Sequence, residues 1–304
     1  MPPRKISVDI DGRELAVSNL DKVLYPEVGF TKAEVIDYYV RVAPTLIDHL
    51  GDRGITLRRY PDGVDGESFF EKRCPSHRPE WVETAPGPGD RSGTIGYCRF
   101  TEPAALAWAA NLAALELHAP MARHDDIESP TMVVFDLDPG PGTAIAECCE
   151  VALWIRDTLG GLDLTCLPKT SGSKGLQVYV PLNRPHTHDH ASAFALAVAQ
   201  VLEAAHPKLV VTTMAKAARK DRVLIDWSQN SRHKTTICAY SLRARPRPTV
   251  STPVTWDEVE AGADGGPLSF EAGAVLDRID RLGDLFSPVL SVEQQLPPTG
   301  DHPG

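Results

Sequence analysis

Val133-Val134-Phe135-Asp136-Leu137-Asp138-Pro139-Gly140 is the segment from which the fold reads outward. Its β-branched and aromatic run predicts a strand buried in a sheet, and Pro-Gly directly after it ends the strand in a turn. Side chains alternate along a strand, so Asp136 and Asp138 share one face while Leu137 points into the packing. Two like charges at a strand end repel unless a cation sits with them. A hard divalent ion with oxygen ligands is the natural candidate.

A second apolar run, Val223-Leu224-Ile225, delivers Asp226 in the same way. A neighbouring strand could set it opposite the first two acids. Three carboxylates in one place can hold two divalent ions about 3.5–4 Å apart, which clamp the attacking and leaving oxygens of phosphoryl transfer. A lone Asp after a strand is an ordinary turn cap; the doubled acid tips the reading toward a metal site.

Around these strands the pattern predicts a mixed α/β chain with largely antiparallel sheets flanked by helices. Thr31-Lys-Ala-Glu34 is a capping box that opens a helix to about Leu50. An arginine-rich strand covers 55–60. Thr101-Glu-Pro103 opens an Ala/Leu-rich helix expected to reach Leu117, and Thr143 caps another to about Leu159. Strands are expected at 164–167 and 176–182, a helix at 189–205, then strands near 209–214, 222–227 and 235–242. A Pro/Gly-rich stretch from 246 to 267 leads to a last helix near 270–282. With no repeat and no long linker, residues 1–292 are expected to form one domain of two packed halves, with 293–304 a disordered tail.

Among 304 residues, 42% are hydrophobic and 24% charged, the balance of an ordinary globular protein. No apolar run approaches the ~20 residues of a membrane span, and Met-Pro-Pro-Arg-Lys lacks a secretory core, so a cytoplasmic protein without membrane association is expected. Six cysteines in a chain of this length form no disulfide framework and are expected to be reduced. Cys74 and His77 have C-x-x-H spacing. Lacking a second close ligand pair, they read as a buried thiol and a surface histidine before they read as a zinc site.

The net charge of −10 argues at first against nucleic acid. Its distribution reopens the question. Residues 210–250 carry Lys216, Arg219, Lys220, Arg222, Arg232, Lys234, Arg243, Arg245 and Arg247 against only Asp221 and Asp226. Such a face could meet a polyanion or could be satisfied by intrachain ion pairs. Thr170-Ser171-Gly172-Ser173-Lys174-Gly175 has the makings of a phosphate cradle: glycines that admit close backbone approach, hydroxyls at Ser171 and Ser173, and the Lys174 charge. It lacks Walker A spacing, and a plain hairpin turn would use the same residues. Phe69 and Phe70, beside Lys72, could stack on exposed bases, although one would face the core if they lie on a strand.

Together these motifs resemble the polymerase domain of bacterial DNA ligase D, within the archaeo-eukaryotic primase–polymerase superfamily. The matching segments are Asp21-Lys-Val-Leu-Tyr-Pro26, Phe69-Phe-Glu-Lys72, Ala114-Leu-Glu-Leu-His118, Val134-Phe-Asp-Leu-Asp-Pro-Gly140, Thr170-Ser-Gly-Ser-Lys-Gly175, Asp226-Trp-Ser-Gln-Asn230 and Lys234-Thr-Thr-Ile with Tyr240-Ser-Leu-Arg243, in order across about residues 15–290. The resemblance implies a template-directed nucleotidyl transferase in which Asp136, Asp138 and Asp226 bind two catalytic ions, manganese favoured over magnesium. It implies that His118, Ser171, Ser173, Lys174, Arg219, Lys234 and Arg243 serve the incoming nucleotide, NTP in preference to dNTP, with Ser171 at the 2′-hydroxyl. Lys22 and Lys32 match positions that bind the 5′-phosphate of gapped or broken DNA. Arg58 stands where the family often has lysine, and Phe69 and Phe70 would stack on the template.

The chain ends without a ligase K-x-D-G motif, and Arg73-Cys-Pro-Ser-His-Arg-Pro-Glu-Trp81 is similar to free-standing relatives. The expectation is therefore a stand-alone polymerase that works with a separate ligase and an end-binding protein, in end joining or in excision-repair gap filling. Two rivals remain at this level. One is a phosphatase of haloacid dehalogenase type, with Asp136 as nucleophile and Asp138 as general acid, although 135 residues precede the motif. The other is a DNA-end-binding module without catalysis, which explains the basic region but not the acids.

Overall fold

The computed structural model describes residues 5–89 and 93–298. The chain forms two compact units, each assembled from separated stretches. One comprises the chain as far as Pro120 together with Ile237–Ser251 and Phe270–Gly283; the other comprises Met121–Thr236, Thr252–Ser269 and the chain from Asp284.

In the first unit, β1 (Lys5–Ile10) and β2 (Arg13–Ser18) form a hairpin, and β3 (Val23–Tyr25) pairs with β4 (Phe30–Thr31). The capping box forms as its spacing predicts. Glu34 N–H donates to Thr31 Oγ1, Glu34 Oε2 accepts from Thr31 N–H, and α1 (Lys32–Leu50) begins there. β5 (Thr56–Arg59) and β6 (Phe69–Glu71) follow, then the ribbon β7 (Thr84–Pro88) with β8 (Thr94–Cys98), α2 (Pro103–Asn111) and β9 (Ala114–Ala119).

Here the Ala/Leu-rich helix expected to reach Leu117 is corrected. It stops at Asn111, Ala113 takes a left-handed backbone (φ 56°), and the chain leaves as a strand. Ala113 O accepts from Tyr60 N–H and the new strand pairs with β5, so tertiary hydrogen bonding overrides local helix propensity.

In the second unit, β10 (Met132–Pro139) is the centre of a five-stranded sheet. α3 (Ile145–Gly160) follows it, then β11 (Leu167–Thr170), β12 (Leu176–Pro181), α4 (His188–Ala205), β13 (Val210–Val211) and β14 (Val223–Asp226). The strand order is β11-β12-β10-β14-β13, antiparallel except for the β13–β14 pair. Val133, Val134, Phe135 and Leu137 are wholly buried under α3 and α4, as the apolar run requires. The chain returns through β15 (Thr236–Ile237), which joins β9 at the edge of the first unit's sheet, and closes with α5 (Trp256–Ala263) and α6 (Ala272–Leu282).

Several local expectations change. Thr143 does not cap α3; its hydroxyl donates to Gly140 O, and Glu147 accepts the Ala144 N–H instead. The strands expected at 209–214 and 235–242 shrink to two residues each. The Pro/Gly-rich stretch contains α5, started by a second capping box, Thr255 with Glu258. The tail expected to be disordered from 293 is docked: Leu296 is buried, and Gln294 donates to Pro181 O. Residues 299–304 lie outside the described residues.

Cys74 and Cys98 form a disulfide, so the expectation of six reduced cysteines fails. The Cys74 sulfur that a zinc ion with His77 would need is thereby occupied. The other four cysteines are buried free thiols. Among the described residues no helix is long and apolar enough to cross a membrane.

Candidate nucleotidyl-transfer site

In the second unit, antiparallel register sets Asp136 of β10 directly opposite Asp226 of β14. Directly opposed residues on one face bring their Cβ atoms to about 4.5–5.5 Å. Asp138, two residues on, shares the face of Asp136 and is exposed. The sequence-predicted trio is therefore brought to one sheet end.

Its electrostatics show the crowding. Burial first, then the Asp138 charge and more weakly that of Asp226, push Asp136 up to about 7, against a hydrogen bond from Gln177 that favours its ionised form. Gln177 holds that bond at 3.0 Å from the other flanking strand, and its own Oε1 accepts from the buried Lys169 Nζ at 2.5 Å. Asp226 is fixed by the turn that follows it. Ser228 N–H and Oγ–H donate to Oδ1 at 3.0 and 2.6 Å, and Gln229 Nε2 donates to Oδ2 at 2.8 Å. Lys234 Nζ in turn donates to Ser228 Oγ at 2.5 Å. Asn230, fully buried, clamps the two strands by bonding both Val134 N–H and Val134 O at 2.8 Å. Each residue of Asp226-Trp-Ser-Gln-Asn230 except Trp227 thus has a role in aiming an acid.

Among the described residues no group of three or more His, Cys, Asp or Glu side chains is drawn close enough to hold a metal ion by itself. The acids still fit a magnesium-like ion, which takes one or two carboxylates and completes its shell with water and substrate phosphate oxygens. Like charges crowded enough to force one acid toward neutrality are the chemistry such an ion relieves.

The turn beyond Asp138 explains its glycine. A Cβ at Gly140 would lie 1.7 Å from Arg219 O, so only glycine lets the D-P-G turn seat against the segment carrying Arg219. Arg219 Nη2 donates to Met214 O, whereas among the described residues its buried Nε has no partner. In the 170–175 loop, Gly172 takes φ 66° and a Cβ at Gly175 would lie 2.0 Å from Leu137 O. Ser171 Oγ accepts from Ser173 and Gly175 N–H, both at 3.2 Å, which closes the turn on itself; Ser173 and Lys174 are exposed.

The first unit gathers the other predicted residues. Strand alternation puts Glu116 and His118 on one face, and His118 Nε2 lies 3.0 Å from Glu116 Oε2. Arg243 Nε and Ala244 N–H donate to Glu116 Oε1 at 3.2 and 3.1 Å. Burial alone would raise Glu116, but the His118 hydrogen bond and the Arg243 charge outweigh it and hold it down to about 2. His118 is lowered by burial, with Glu116 opposing.

Phe69 and Phe70 are both exposed, at 45% and 58%, so neither faces the core. Arg59 lies over Phe69 and Arg58 over Phe70 at 5.2 and 5.1 Å, cation–π contacts that hold the rings outward. Lys32 Nζ donates to Ser18 O at 2.7 Å; burial and then the neighbouring Lys22 charge lower it to about 8. Lys22 pairs at the surface with Asp62. Elsewhere in the basic region the intrachain reading wins in part, since Arg232 pairs with Glu128 and Arg247 with Glu271. Sequence reasoning passed over Glu116, Gln177 and Asn230 as site residues. Glu116 and Asn230 stood inside quoted motifs, whereas Gln177 carried no local signal.

Residues 31–286 match the family model described as LigD, primase-polymerase domain. The chain belongs to that family. It is 46% identical over 275 residues to the multifunctional non-homologous end joining protein LigD of Mycolicibacterium smegmatis, covering 90% of this chain and 36% of that protein. It is 31% identical over 276 residues to the bifunctional non-homologous end joining protein LigD of Bacillus subtilis, covering 90% and 44%. The chain therefore spans less than half the length of these relatives. The polymerase domain from Mycobacterium tuberculosis Ligase D, solved in complex with DNA, superposes with a TM-score of 0.85 at 42% identity, covering 91% of this chain and 98% of that one. The chain is thus a LigD-type primase–polymerase domain, a nucleotidyltransferase of mixed α/β fold, and the phosphatase alternative is set aside.

Proposed function

We propose that this protein fills short gaps, or extends the ends of broken DNA, by template-directed addition of nucleotides, with two divalent ions, manganese favoured, on Asp136, Asp138 and Asp226. The observation that carries the reading is the direct pairing of Asp136 with Asp226 at the end of the sheet that also presents Asp138. When bound, the ions supply Lewis acidity to the primer 3′-hydroxyl and to the phosphoryl oxygens.

The chain's own residues do the rest. Gln177 and the Ser228–Gln229 turn hold two of the carboxylates in fixed directions. Arg219, whose buried Nε lacks a partner among the described residues, takes triphosphate oxygens together with Lys174, Ser173 and Lys234. Ser171 Oγ, held in the turn by two backbone N–H groups, meets the ribose 2′-hydroxyl, with NTP preferred over dNTP. His118 and Arg243 contact the nucleotide as well.

Lys32, at the first turn of α1, joins Lys22 in binding a 5′-phosphate, where the helix N-terminus adds its partial positive charge. The outward rings of Phe69 and Phe70 stack on template bases, with Arg58 beside them. The mycobacterial domain solved with DNA supports this assignment. We infer a cytoplasmic repair enzyme that works with a DNA ligase and an end-binding protein.

The test is a gapped primer–template with a 5′-phosphate, labelled NTP or dNTP, and Mn²⁺. Template-directed extension, lost in Asp136→Ala and Asp226→Ala, is expected. Tight binding of the gap without extension would instead leave a DNA-end-binding module.

A further inference from the structure

Glu116 is 1% exposed, yet it lies among Arg58, Arg243 and His118, the last two of which are proposed to contact the nucleotide. Its two oxygens divide the work. Oε2 meets His118 Nε2 at 3.0 Å and, more distantly, Arg58 Nη1 at 3.5 Å; Oε1 accepts from Arg243 Nε at 3.2 Å and Ala244 N–H at 3.1 Å. A single buried carboxylate therefore ties together three side chains and one backbone amide drawn from β5, β9 and the segment at 243–244.

Stability alone does not account for such a residue, because a buried ion cluster is often no more stable than apolar side chains of the same volume. What the carboxylate adds is direction. It draws Arg243 by its Nε, and it fixes the plane and tautomer of the imidazole by binding Nε2. Two guanidinium charges against one carboxylate leave the cluster with a net positive charge, the sign a phosphate requires.

We propose that Glu116 is a positioning residue for nucleotide binding, holding His118 and Arg243 in the orientation in which they meet the nucleotide. The inference rests on the nucleotide role given above to those two residues.

The experiment is steady-state extension of a gapped primer with NTP varied, on Glu116→Gln, His118→Ala, Arg243→Ala and the double variant Glu116→Gln/His118→Ala. Glu116→Gln is expected to raise KM for NTP by about tenfold while kcat and gapped-DNA affinity stay within about twofold. In the double variant, KM is expected to exceed that of the worse single by no more than about twofold, because the two residues act as one unit. Multiplicative effects, or a parallel loss of DNA affinity, would overturn the positioning role while leaving the polymerase reading intact. Failure of the wild type to extend at all sinks both. Should Glu116→Gln not fold, Glu116→Asp keeps the charge but withdraws it by one methylene. A folded Asp variant with wild-type KM overturns the proposal, and an intermediate KM supports it.

Discussion

Asp136 is crowded by burial and by the charges of Asp138 and Asp226, and the consequence has a definite sign. Its folded pKa of about 7 lies above the ordinary 3.8, so between these values the folded protein keeps a proton that the unfolded chain releases. Metal-free stability therefore falls as pH rises through that window and reaches its low plateau above pH 7. The full shift corresponds to on the order of 4 kcal/mol. Asp136→Asn cannot ionise. Its metal-free Tm is expected to exceed that of the wild type by a margin that widens from pH 5 to pH 8, as read by thermal melts in chelator. Adding Mn²⁺ at pH 8 should raise the wild-type Tm and leave the variant nearly unmoved. Extension by the variant should drop by at least about 100-fold. A pH-independent difference in Tm would show that the carboxylates are not crowded. The doubled acid on an apolar run was legible in the sequence because alternation alone fixes its geometry. Gln177 was not, since its aim at Asp136 depends on which strand pairs with β10.

At the scale of elements, legibility followed how local the deciding force is. The capping box at Thr31 and Glu34 is satisfied within one turn, and α1 begins where the spacing says. The α2–β9 boundary is decided by Tyr60 reaching Ala113 O and by pairing with β5, neither of which leaves a mark on an Ala/Leu-rich run. The cost was functional, since on a helix Glu116 and His118 would diverge, whereas on a strand they meet. The β7–β8 ribbon presents the same difficulty in another form. Cys74 and Cys98 are 24 residues apart and meet where Cys74 N–H bonds Gly96 O of the ribbon. A titration of thiols in denatured, unreduced protein is expected to find four free groups, those of Cys148, Cys149, Cys166 and Cys238, and six after reduction. Six before reduction would remove the crosslink. Closing a loop of that length stabilises by about 3 kcal/mol in the chain-entropy view, so Cys74→Ser should lower Tm by several degrees.

Across the whole molecule, a net charge of −10 sets the terms on which DNA can bind. A protein this acidic gains little from long-range attraction to a duplex, so affinity must come from a few placed cations and from stacking. Arg232 and Arg247 are absorbed by intrachain ion pairs, which thins the basic region further. The cations proposed to meet DNA are then Lys22 and Lys32 at the 5′-phosphate and Arg58 beside the stacking rings, with Lys22 exchanging its surface pair with Asp62 for the phosphate. Counterion release then predicts a shallow salt dependence. The logarithm of affinity for a 5′-phosphorylated gap should fall with the logarithm of salt at a slope of about −2 to −3. In Lys22→Ala the slope should become shallower by about one, and the preference for a phosphorylated over an unphosphorylated gap should shrink with it. Fluorescence anisotropy over a salt series measures both quantities on the same samples. A steep slope that Lys22→Ala leaves unchanged would move the DNA contact to Lys216, Lys220 and their neighbours. A shallow slope with no phosphate preference would leave stacking on Phe69 and Phe70 to carry the recognition. In that case Phe70→Ala, whose ring is the more exposed of the two, is the variant that should weaken binding equally at every salt concentration.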